Sequence, residues 1–156
     1  MEDEENIPRD YLFHQLESKM ILPRPIFMDK QIPKIPKEED KGNREYKWKL
    51  KYNEMDKTDL RDKREKKKKE KTASQLLYRI LEGKGKAVYI IGVHDHGENV
   101  GIPLTETYES IRFFLDCAKI IQAKVQSIKI YRGTEGYITT LRVHLNVDLH
   151  YSILIL

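Results

Sequence analysis

Apolar residues recur along this chain with two periods, and the switches between them mark its elements. From Arg44 onward Tyr46, Trp48 and Leu50 alternate with charged neighbours, which is the period of a half-buried strand. Residues 87–93 form a continuous apolar run ended by Asp95, His96 and Gly97, as expected of a strand covered on both faces and closed by a turn, with 100–102 returning as its hairpin partner. Between those strands Leu76, Leu77, Ile80 and Leu81 make one stripe at helical spacing. Thr72 and Gln75 have the form of a capping box and Gly83 offers a left-handed stop, so the pattern predicts a helix over 73–82. A broader stripe of Tyr108, Ile111, Phe114, Leu115, Ala118 and Ile121 predicts a second helix, capped by Thr105 or Thr107. Strands are predicted over 125–131, 137–145 and 150–156. Such an order of elements predicts an α+β fold, a mixed sheet with two main helices packed on one face.

Two stretches carry neither period. Residues 1–40 hold Pro8, Pro23, Pro25, Pro33 and Pro36, and the last four leave no room for a helix or a central strand, so an extended arm is expected there. Within it Tyr11, Leu12, Leu16 and Met20 fall at helical spacing, which predicts a short helix over 8–20. Over 53–71 the apolar residues are Met55 and Leu60, too few to hold a helix against a core; a basic insertion, either linker or solvated helical extension, is expected. The resulting organisation is an arm over 1–40, a domain over 41–145 containing that insertion, and a terminal strand over 146–156.

Charge sharpens the picture of the insertion. The chain carries a net +4, yet residues 41–71 alone hold 14 Lys/Arg against 7 Asp/Glu. Lys63, Arg64, Lys66, Lys67, Lys68, Lys69 and Lys71 form a run that can neutralise RNA phosphates and release their counterions. The same run has the composition of a nuclear localisation signal, and of a solvated linker whose charges only repel one another. Cys117, the single cysteine, cannot close an intrachain disulfide and stands among apolar residues, so a reducing, cytoplasmic setting is expected, with nuclear entry open through the lysine run. No apolar run is long enough to cross a membrane as a helix, and Met1–Asn6 is acidic, unlike a secretory or transit leader.

Candidate chemistry is sparse. Gly83, Lys84, Gly85 and Lys86 precede a strand and lack the spacing and hydroxyl of a phosphate-binding loop, so neither a nucleotide cofactor nor GTPase activity is expected of the chain. His94, Asp95 and His96 read as a polar turn, since zinc requires three or four converging ligands and cysteine is absent nearby; no metal is expected.

Gln75, Tyr78, Arg79, Glu82, Gly83, Gly85, Ala87, Tyr89, Gly92 and Val93 stand at the spacing of a block that precedes the GTPase domain in the GTP-binding protein 1/2 type family, relatives of elongation factor 1-alpha. Asp95, Gly97, Val100 and Gly101 extend the match, and Gly42, Asn43, Glu45, Tyr46 and Lys47 resemble an upstream family element. The likeness covers about 40–125 and implies a non-catalytic accessory domain that helps a translation-type GTPase engage RNA or the ribosome. The GTPase domain itself would be a partner, joined in cis or met in trans. The apolar run and its turn are also similar to the AlbA-type domain of Schlafen proteins, which implies an alternative: metal-dependent binding or cleavage of RNA through Asp40, Glu45 and Asp95. A third reading, a protein-interaction module, uses the arm over 1–40 as the bound element.

Overall fold

The computed structural model describes residues 24–51, 60–94 and 96–145. The helix expected over 8–20 and the strand expected over 150–156 lie outside them. Five strands, β1 (Pro25–Gln31), β2 (Arg44–Lys47), β3 (Lys86–Ile91), β4 (Lys124–Arg132) and β5 (Tyr137–His144), form one sheet in the order β1-β4-β5-β3-β2. Two helices, α1 (Arg61–Glu82) and α2 (Leu104–Ile120), pack on it. β5 runs antiparallel to both its neighbours, and each outer strand runs parallel to the strand it joins, so the sheet is mixed and the fold is α+β as expected.

The two faces of the sheet differ. Ala87, Tyr89 and Ile91 of β3, Ile128 and Ile130 of β4, and Leu141 and Val143 of β5 face the helices, where Leu76, Ile80, Ile111, Phe113 and Phe114 complete the main core. On the opposite face Ile32 and Ile35, from the chain after β1, pack with Tyr46, Ile90, Val93 and Ile138 near one end of the sheet. Toward the other end that face carries Arg44, Lys86 and Arg142, with Lys129 level with Ile90; Arg44 lies opposite Val88, which lies opposite Arg142. Arg44, Lys86 and Arg142 are exposed and Lys129 is half-buried.

Four elements differ from expectation. β1 arises within the stretch read as an arm; it begins at Pro25 and occupies an edge, where a missing N–H costs no ladder bond. α1 begins at Arg61 instead of Ala73, so Thr72 is a buried helix-interior residue, and the Ser74 hydroxyl donates to the Glu70 carbonyl within the same helix. Lysine and glutamate are good helix formers, and the extension also has a surface to lie on: the Lys68 and Lys69 ammonium groups sit 5.2 and 5.9 Å from the Phe113 ring centroid. At α2 the cap position is Pro103, and Thr107 donates its hydroxyl back to the Pro103 carbonyl at 3.0 Å instead of capping an amide. Residues 100–102 do not return along β3 as a strand; Ile102 exchanges both backbone hydrogen bonds with Tyr137, while Gly101 N–H donates to the Gly92 carbonyl. Gly101 has φ of +92°, and a Cβ there would stand 2.4 Å from the Gly136 carbonyl carbon, so this close crossing requires glycine.

Candidate nucleic-acid interface

α1 divides the lysine run. Lys68 donates to the Lys51 carbonyl, and desolvation lowers its pKa below the ordinary lysine value. Lys69 pairs with Asp116 of α2 at 3.0 Å. These two are turned toward the body of the domain. Lys63, Lys67 and Lys71 recur at four-residue spacing along one side of the helix, Lys66 lies three residues after Lys63, and all four are exposed. Arg64 is exposed and has an interaction partner of its own. Helical geometry thus places Lys63, Lys67 and Lys71 about one turn apart, with Lys66 to one side of them.

The carboxylates considered for metal-dependent chemistry have other partners. Glu45 lies in register with Tyr89 and shares its face, under α1. There its Oε2 accepts from Arg79 Nε at 2.6 Å, and its Oε1 is 3.5 Å from Lys47 Nζ. Arg79 is buried, and its terminal nitrogens donate to the Gly42 carbonyl at 3.0 Å and the Glu39 carbonyl at 2.9 Å. Next to it the Tyr78 hydroxyl donates to the Asp40 carbonyl at 2.9 Å, and the Asp40 side chain is exposed. One helix therefore fastens the turn before β2 by side chains alone. Asp95 lies outside the described residues, and among those described no group of three or more His, Cys, Asp or Glu is placed to hold a metal ion.

Past the ends of β2 and β3, Trp48 stacks on His94 with ring centroids 4.4 Å apart and planes 8° from parallel. A cavity of about 300 Å³ opens beside this pair, lined further by Val93, His96 and Glu98. Two buried groups stay protonated. Desolvation, followed by the nearby Glu45 charge, pushes the Tyr89 phenol far above its usual value, and desolvation followed by Asp116 pushes the Cys117 thiol up to about 12.

Arg79 and the sheet-face cations were not singled out by the sequence reading as functional. Their signals were present: Arg79 interrupts the apolar stripe between Leu76 and Ile80, and Lys129 and Arg142 occupy the outward positions of strands whose alternate residues are aliphatic.

Fold and site together define a small α+β domain with a fastened entry turn and a basic helical extension. Over 97 residues the chain is 32% identical to GTP-binding protein 2 of Mus musculus, and equally to GTP-binding protein 2 of Homo sapiens. The aligned stretch is 62% of this chain, which spans 14% of the length of these curated relatives. The likeness links the chain to GTP-binding proteins. No protein-family model matches it, and no solved structure does.

Proposed function

We propose that the chain is a non-catalytic accessory domain of a translation-factor-like GTPase and that it assists engagement of RNA or the ribosome. The observation that carries this reading is the likeness to GTP-binding protein 2 over a stretch that is a small part of that protein. GTP chemistry then belongs to a domain other than this one, met in cis or in trans. The set of Lys63, Lys66, Lys67 and Lys71 supplies the RNA contact through phosphate neutralisation, which is strong in low salt and indifferent to base sequence. A Schlafen-like cleavage site draws no support from Glu45, whose two oxygens face Arg79 and Lys47.

The test is a salt titration of RNA binding. Replacing the four outward lysines by glutamine is expected to weaken binding and to reduce the slope of log affinity against log salt by roughly 3, at about 0.7–0.9 per phosphate contact. Replacing only Lys68 and Lys69 leaves the slope nearly intact, since their charges are turned to Lys51 and Asp116. An unchanged slope in the fourfold variant removes α1 from the interface.

A further inference from the structure

On the face opposite both helices, beyond Ile32 and Ile35, the charged residues that β2, β3, β4 and β5 present among the described residues are all cations. β3, β4 and β5 contain no Asp or Glu, and Glu45, the acid of β2, faces the helices. On that face Arg44, Lys86, Lys129 and Arg142 make no ion pair among the described residues, in contrast to Lys47, Lys49 and Lys69 elsewhere on the surface. Adjacent strands lie about 4.8 Å apart, so cations on β2, β3, β5 and β4 span roughly 14 Å across the sheet. Half-buried Val88 and Tyr131 share the face at the margin of the Ile32 and Ile35 cluster, against which they pack, and exposed Ile26 of β1 stands in register with Lys129.

The geometry points to this face as a binding surface for single-stranded RNA, laid across β2, β3, β5 and β4 with phosphates on the four cations and bases against Val88, Tyr131 and Ile26. An unpaired cation on a folded surface gains most from a polyanion that releases counterions on binding, and four such cations with no intervening carboxylate form a continuous path for one. Val88, between Arg44 and Arg142, and Tyr131, next after Lys129 on the same face of β4, offer apolar and aromatic surface to unstacked bases, whereas paired bases turn only their edges and backbone outward. An acidic protein segment would use the cations but has less call on the apolar and aromatic surface. This inference rests on the reading that the domain engages RNA, and it does not rest on the lysines of α1, which lie on the helix-bearing side.

The experiment uses the full chain with a fluorescein-labelled oligouridylate and, separately, a blunt RNA duplex of equal length, read by fluorescence anisotropy across a salt series. Joint replacement Arg44→Gln, Lys129→Gln and Arg142→Gln is expected to weaken oligouridylate binding at least tenfold and to lower the salt slope by roughly 2, at about 0.7 per phosphate for single strands. Duplex binding should change less. Tyr131→Leu is expected to cost roughly tenfold on the oligouridylate with the slope unchanged, because stacking carries no counterion term. Should the triple variant fold poorly by circular dichroism, Arg142→Gln alone, on an exposed side chain, is expected to lower the slope by about 0.7. Parental affinity in a folded sheet variant overturns the proposal while leaving the α1 reading intact; loss in the sheet variants with none in the fourfold lysine variant does the reverse. A sheet-dependent affinity for labelled polyglutamate, with oligouridylate binding unaffected, assigns the face to an acidic protein and likewise overturns it. No RNA binding by the parent chain at all defeats both readings.

Discussion

Arg79 shows what one buried cation can organise. Its guanidinium joins α1 to Glu45 of β2 and to the carbonyls of Glu39 and Gly42, and removing it strands a half-buried carboxylate and two backbone acceptors at once. Arg79→Met is therefore expected to destabilise the fold by about 3–5 kcal/mol in urea titration, the usual cost of breaking a buried pair from one side. Pairing it with Glu45→Leu should recover part of the loss, and a single-variant cost under about 1 kcal/mol would mean that the pair is not shielded from water. Cys117 gives a second test. Its folded pKa of about 12 exceeds the unfolded value of about 8.5, so the folded state holds the thiol proton more tightly. The corresponding stability is complete below about pH 8.5 and is lost as pH rises toward 12. Cys117→Ala should flatten that alkaline decline in stability measured between pH 8 and 10. Glu45 was legible as a strand residue but not as an inward one, because what decides its environment is an arginine 34 positions away in sequence.

At the scale of elements, the apolar stripes located both helices, the alternation from Arg44 located β2, the continuous apolar run located β3, and strand-rich segments located β4 and β5. The start of α1 was not legible: over 61–71 nothing apolar repeats, and what holds this half of the helix is the Lys68 and Lys69 ammonium groups over the Phe113 ring and the pairing of Lys69 with Asp116. A hydroxyl at Thr72 imitates a cap in sequence, while in the structure a continuous helix buries it. β1 was hidden for a related reason, since its prolines argue against a central strand and are silent on an edge. The continuity of α1 is open to a direct test. Lys67→Pro, on its outward side, removes a helical hydrogen bond and should cost about 3 kcal/mol with a loss of helical circular dichroism, whereas a linker at that position would accept proline with little change.

For the molecule as a whole, the class α+β followed from the order of elements, but the strand order did not. Two of the four pairings are parallel and join segments far apart, residue 25 with 128 and residue 44 with 88, and local periodicity carries no information on which distant strand is the neighbour. The sheet-face cations were hidden with it, because Arg44, Lys86, Lys129 and Arg142 become one surface only when β2, β3, β5 and β4 are placed side by side. The same strand order has a consequence for biosynthesis. β5, the middle strand, is translated after every other strand of the sheet, and β1 has no neighbour to join until β4 has emerged. At about 5–20 residues per second, the wait between β1 and β4 is on the order of 5–20 s. Until then the nascent chain can form little of the sheet beyond the β2–β3 pair, and closing its long loops late makes a slow-folding topology. The centre of this sheet is the last part of it to be made.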